Sequence, residues 1–550
     1  MKKTIAISII TSALLFAANS DVTDLTINYT NMIQGNSNID DSVVNQGKTE
    51  ITSSIIADVT LESKSTGNLI DAVNIEESST VNQATFIVGG DSNVSSASGD
   101  TADLTISTDN TIENSTIKGS NVKQSYTSIL GGSTVKGLNI DQVNIIQDFD
   151  SDGDADVTTP NDPSDINNST VSQGELSLAG ASVIEDLTQT GMVNTMQDAT
   201  ANGSSKLIQN QILIDGASTI ESFEQTAILN TMTNTDADDA ELTQNKIVVT
   251  NASTVNNFKN VDGGGATSNL MLNVDASEGA KISQNTITID NSEVTSSGTK
   301  QSNSITDLTL ENNVVTQGNI EITNAQDVTG FESSFMNTID DVRITGTGTT
   351  EQGVLIIGDS NATGTVSADM VADIDITSTN ALQFSNLDDS NITQSKTSIL
   401  GGSDVSGFNL TQVNTIEGTD TSGNADTRDN NASKATISQA EITIDDSEVT
   451  TFEQTSLTNT ITNSVINDST VDQGKVDITS STVTGLTIST STHKLEGSTI
   501  EEDSSLSQGM TTITNSEVTD LTITETNTVQ NSDIKGGSVV TQGMTTIAGS

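Results

Sequence analysis

A glutamine recurs along this chain at a nearly constant interval, typically two positions after an aliphatic residue and just before a small or polar one. It stands at Gln46, Gln83, Gln124, Gln173, Gln209, Gln244, Gln284, Gln317, Gln352, Gln394, Gln439, Gln473, Gln508 and Gln542. The tightest intervals are 34 and 35 residues, as from Gln439 to Gln473 and from Gln473 to Gln508. A fixed period of this size is the signature of a repeat fold, in which each unit contacts only its neighbours. A finer rhythm runs inside it. Ser481, Ser498, Ser516, Ser532 and Ser550 step by 17, 18, 16 and 18 residues, and each of the first four is followed two positions on by Val or Ile.

Within one half-repeat the apolar positions lie two apart, as in Ser516-x-Val518-x-x-Leu521-x-Ile523, and Val, Ile and Thr dominate. That is a strand pattern, and no sustained helical spacing competes with it. A coil of about 17 residues burying about four aliphatic side chains cannot offset the entropy of its own ordering, so it is stable only when stacked. The expected fold is an all-β, long single-domain β-solenoid of roughly 28–30 stacked coils of about 17 residues, two per Gln interval. The Gln of Val471-x-Gln473 shares a strand face with Val471, which points its amide inward, where stacked amides bond to one another. The alternative is a Gln capping a turn, with Gly474 making a bulge. With one marker per two coils, any amide ladder is expected to be interrupted, although Gln189, Gln225 and Gln454 fill a related slot. Phe223, Phe258, Phe331, Phe408 and Phe452 share another slot and read as core fillers.

Departures from the period fall together. Both prolines, Pro160 and Pro163, lie in the longest interval, Gln124 to Gln173, where a residue unable to donate to a ladder is tolerated. A second long interval, Gln394 to Gln439, holds the polar stretch 419–433. The segments before them, TSILGGSTVKGLNIDQVNIIQ from Thr127 and TSILGGSDVSGFNLTQVNTIE from Thr397, are near copies at an offset of 270 residues. Insertions at 148–167 and 419–433 are therefore expected to leave the array at equivalent points, and the array to have grown by internal duplication.

Lys2 and Lys3, the apolar run Ile5 to Phe16 and the small residues up to Ser20 read as a secretory signal over residues 1–20, cleaved after Ser20 by bacterial secretion machinery. The array then occupies 21–550, and no later segment is apolar enough to span a bilayer as a helix. A net charge of −55, from 74 acidic and 19 basic residues, is unsuited to nucleic acid. With no Cys and His493 the sole His, thiolate and His-pair metal sites are excluded, as is a His relay. One chemical motif remains. Asp148, Asp150, Asp152, Asp154 and Asp156 alternate around Gly153, a spacing that lets a tight loop gather oxygens about Ca²⁺. It resembles the DxDxDGxxD loops of EF-hand, dockerin-type and thrombospondin-type repeats, with Thr159 where an EF-hand places its bidentate Glu.

Strand-turn-strand repeats with recurring Ser, Gln and Asn on an aromatic-poor chain resemble the curlin-type subunits of bacterial extracellular fibres, and more loosely β-solenoid adhesins. The resemblance implies an extracellular matrix or biofilm role. The two ends of the processed chain point the same way: TTIAGS followed by DVTDLTI reproduces the internal TTITNSEVTDLTI of Thr511 to Ile523, so one molecule's tail is in register with another's head. The expectation is a secreted, non-enzymatic structural or adhesive solenoid that self-associates head-to-tail through its terminal coils into extracellular filaments, with bundling dependent on divalent cations. A calcium-dependent adhesin or surface-layer protein is the alternative. An ice-binding protein is less favoured because Asn139, Glu224 and Asn409 interrupt the Thr columns. A polysaccharide-degrading enzyme is less favoured because Arg343 and Arg428 are the only arginines and aromatic platforms are missing.

Overall fold

The computed structural model describes residues 14–16, 21–28, 31–52, 55–76, 78–94, 104–113, 115–147, 164–226, 228–261, 269–277, 279–324, 327–345, 347–358, 370–418, 431–433, 435–501 and 503–549. The array, read as a single domain, separates into two compact units, residues 1–283 and 284–550. Among the described residues there is no helix; both units are built of parallel strands.

The winding from Thr436 shows how the sequence makes each layer of the second unit. Thr436–Asp445 forms one wall, with alternate residues Ile437, Gln439, Ile442 and Ile444 buried. Asp446, at φ 49°, turns the chain into Glu448–Thr462, the facing wall, which buries Val449, Phe452, Gln454, Leu457, Asn459 and Ile461. Asn463, at φ 51°, turns it into the short strand Val465–Asn467, and Asp468, at φ 46°, returns it to the first wall. Asp and Asn tolerate the left-handed conformation that such corners require, because their short polar side chains bond locally. The next strand, Thr470–Thr479, lies parallel on the first with Gln439 opposite Gln473.

This register corrects the coil length. Ser481 stacks on Ser516, not on Ser498: the Ser447 N–H donates to Ser481 Oγ and the Ser481 N–H to Ser516 Oγ, at 3.2 and 3.1 Å. Ser464, Ser498 and Ser532 form a separate stack. The 17-residue rhythm therefore marks two corners of one winding, and a full turn takes the whole Gln interval, from 33 residues (Gln284 to Gln317) to 49 (Gln124 to Gln173). The physical reason is that both faces of a core must be walled: one half-repeat supplies the Gln wall, the next the wall opposite. Each corner serine closes locally too, as Ser481 Oγ donates to the Thr479 carbonyl at 2.7 Å.

The first unit repeats this plan. Its Gln-bearing strands pair in parallel, Val43–Thr52 with Thr80–Gly89, then with Asn121–Ile129, Thr170–Leu178, Lys206–Ile214 and Glu241–Val249. Leu14–Phe16, inside the expected leader, pairs with Val43–Thr52. Most of each expected insertion, at 148–167 and at 419–433, lies outside the described residues; the strands before them are Leu138–Gln147 and Asp404–Glu417. The last residues of each expected insertion form short strands of the array, Ser164–Asn167 and Asn431–Ser433.

Candidate functional site: two amide ladders and an open face

Every predicted Gln points into the core, and within each unit the column is continuous. In the first unit Gln83 Nε2 donates to Gln46 Oε1 at 2.9 Å, and the pattern repeats through Gln124, Gln173, Gln209 and Gln244. In the second it runs from Gln317 onto Gln284 and on through Gln352, Gln394, Gln439, Gln473 and Gln508 to Gln542, with separations of 2.6–2.9 Å. The interruption expected from two coils per marker does not occur, because each winding contains one Gln. Many rungs are anchored across the core as well: Gln209 Nε2 donates to the Asn194 and Thr231 carbonyls at 3.1 and 3.0 Å. The inward amide and the bulge also coexist. The residue after each of these Gln has positive φ, from Ala84 at 53° to Gly474 at 71°, so the strand kinks just beyond its amide.

A second column, not anticipated, lines the opposite wall. Asn68 Nδ2 donates to Asn110 Oδ1, Asn110 to Asn144, Asn144 to Asn194 and Asn194 to Asn230, at 2.7–2.9 Å. In the second unit Asn303, Asn337, Asn380, Asn414 and Asn459 repeat it. The signal was present: Asn144, Asn414 and Asn459 each stand 20 residues after Gln124, Gln394 and Gln439. The two columns run in opposite senses. Each Gln donates to the preceding winding and each Asn to the following one.

His493 takes the next place in the Asn column. Asn459 Nδ2 donates to its Nδ1 at 3.0 Å, which leaves the proton on Nε2, 2.7 Å from Ser491 Oγ. The ring is buried, and burial holds the imidazole down to about 4, so it is neutral at ordinary pH. Both its nitrogens are engaged, and the facing amide in the next winding, Asn527, has an Oδ1 with no hydrogen-bond partner. Apart from His493, no ionisable side chain is fully buried among the described residues.

The minor Gln slot pairs locally, Gln225 with Gln189 and Gln454 with Gln412. Phe223, Phe331, Phe408 and Phe452 are buried, and Phe408 stacks on Phe452 with centroids 4.8 Å apart; the Phe258 side chain lies outside the described part. Outside, one column reads Thr105, Asn139, Thr188, Glu224 and Lys259, with no constant residue type. The expected Ca²⁺ ligands Asp148, Asp150, Asp152, Asp154 and Asp156 lie outside the described residues, and among those described no three acidic or imidazole groups gather to hold a metal. No helix among them is long and apolar enough to cross a membrane.

The winding from Glu517 to Ala548 differs from those below it. Its wall strands pair on one side only, with Thr482–Glu496 and Ser505–Thr514. Inward residues that are sealed elsewhere are uncovered here: Ile513 is 4% exposed and its column partner Ile547 65%, Ile500 0% and Ile534 46%. No protein-family model matches this chain, and no curated protein or solved structure is similar to it.

Proposed function

We propose that this chain is a secreted, non-catalytic structural component of extracellular material, whose molecules stack head-to-tail into filaments. The observation that carries the reading is the open winding: an apolar interior and strand edges that the described windings below it in the second unit cover with another parallel layer. A second copy fits that layer by register. With cleavage after Ser20, placing Asp21 behind Ser550 puts Gln46 at 34 positions beyond Gln542, the same interval as from Gln508 to Gln542. Asn31 then falls the same 34 positions beyond Asn527, so Gln46 would donate to Gln542 and Asn527 to Asn31. Cleavage there would also remove Leu14–Phe16 and free the edge of Val43–Thr52. A contact of this heterologous kind does not close and so propagates.

Electron microscopy of the purified 21–550 protein tests the proposal: filaments of stacked molecules are expected, and monodisperse particles at high concentration, with and without Ca²⁺, would refute it. Ca²⁺ binding by Asp148 to Asp156, and bundling of the acidic filaments by divalent cations, belong to the same reading. Calorimetry silent at millimolar Ca²⁺ would remove the first, and bundling indifferent to a chelator the second.

A further inference from the structure

Two residues ahead of the Asn column runs another inward column in the second unit. Gln301, Phe335, Ser378, Gln412, Leu457 and Ser491 follow one another in register, all buried and none of them ionisable. Glu525 continues this column, opposite Ser491, in the open winding. Its carboxyl turns into the interior against the Gln wall: a Cβ on Gly509 would overlap Glu525 Oε2 and meet Asn527 Nδ2. A carboxylate thus occupies the one layer of the column that has no layer above it.

We propose that Glu525 is an acid-operated gate on end-to-end assembly, blocking the next winding as a carboxylate and admitting it as a carboxylic acid. The inference rests on the head-to-tail reading. Covering this winding strips the remaining water from Glu525, and an unpaired carboxylate inside an apolar and amide core is strongly disfavoured. Burial already holds its carboxyl above the usual carboxylate range, against a hydrogen bond from Asn527 that acts the other way.

No group around it supplies a counter-charge. On Thr482–Glu496, His493 is neutral and committed to Asn459 and Ser491, while Lys494 and Glu496 pair with each other on the outer face. Ser505–Thr514 and Val539–Ala548 contain no ionisable residue. Glu517, Asp520 and the Asp533–Lys535 pair are exposed on the same winding, so none of them neutralises the interior. A carboxylic acid, or a neutral residue such as those below, fits the column; a carboxylate does not.

The test compares the critical concentration for filament formation of the 21–550 protein with Glu525→Gln and Glu525→Ser, the latter restoring the residue type of the layer beneath. Glu448→Gln, an exposed carboxylate of a lower winding, controls for bulk charge. At about pH 7.5 both Glu525 variants should assemble at concentrations at least about tenfold lower than the parent, the order expected for removing an unpaired buried carboxylate, while Glu448→Gln stays within about twofold. The parent should approach the variants as the pH is lowered and the carboxyl, held above its ordinary range by burial, takes up its proton. Filaments from all proteins at equal concentrations at about pH 7.5 would overturn the gate and leave head-to-tail stacking intact. Filaments from none of them at any pH would remove the stacking and the gate with it. If Glu525→Gln alone fails to fold, Glu525→Ser carries the comparison.

Discussion

Replacing His493 by Asn should repair the Asn ladder and abolish an acid weakness of the windings around it. The imidazole accepts from Asn459 and donates to Ser491, which leaves Asn527 Oδ1 unpartnered. An Asn there offers Oδ1 to Asn459 and Nδ2 to Asn527, and satisfying a buried acceptor is worth about 1–3 kcal/mol. Against this stands the smaller side chain: roughly 40 Å³ of lost volume at about 24 cal/mol per Å³ costs about 1 kcal/mol. Near neutral pH the variant should therefore gain about 0–2 kcal/mol. The larger effect lies in acid. The folded state holds His493 at about 4 against an ordinary 6.5, so the unfolded chain protonates first. The stability this gives is complete above about 6.5 and lost as pH falls to about 4; a difference of roughly 2.5 units amounts to about 3 kcal/mol. Amide exchange across 482–496 and 517–530, measured at about pH 7.5 and pH 4.5, reads this locally. An equal acid loss of protection in parent and His493→Asn would refute the reasoning.

Other substitutions follow from the same core. Gly474→Ala places a Cβ into the His493 ring at φ 71°, whereas Gly402→Ala, at φ 82°, meets nothing within 4 Å. The second should cost about 1 kcal/mol from backbone strain alone and the first at least about twice that, with partial rescue by His493→Asn in thermal melts. Gln439→Leu strips the acceptor from Gln473 and the donor from Gln394. Two buried orphans should cost about 2–6 kcal/mol, against about 1–3 kcal/mol for Gln542→Leu, which leaves only the buried Gln508 Oε1 without its donor, by urea titration. Phe408→Ala removes a buried ring stacked on Phe452 and should cost about 3–5 kcal/mol; a loss under about 1 kcal/mol would contradict its place in the core.

The β-solenoid and the inward Gln were legible because each depends on chemistry that recurs at a fixed spacing: period-two aliphatics about Val471 and Gln473, and small residues after the Gln. The winding length was not. Ser481 and Ser498 carry the same local motif because both sit at corners, and local chemistry does not say whether two like corners are stacked or lie on one loop. Register settles it, since Ser481 meets Ser516. The Asn column escaped notice because Asn is abundant in corners as well, where Asn463 and Asn515 take positive φ, so its inward copies are diluted. His493 looked like the mere absence of a metal site; only the register to Asn459 and Asn527 gives it a role.

The opposed directions of the two amide columns have an electrostatic consequence for length. In an α-helix every peptide dipole points the same way, and the sum appears as partial charges at the ends. Here the carboxamides of Gln439, Gln473 and Gln508 point against those of Asn380 and Asn414, so their axial moments cancel within each unit. Layers can then be added without a growing field at the tips. Each column keeps the mutual polarisation of an aligned hydrogen-bonded chain, while the pair presents a nearly non-polar axis to whatever lies beyond it.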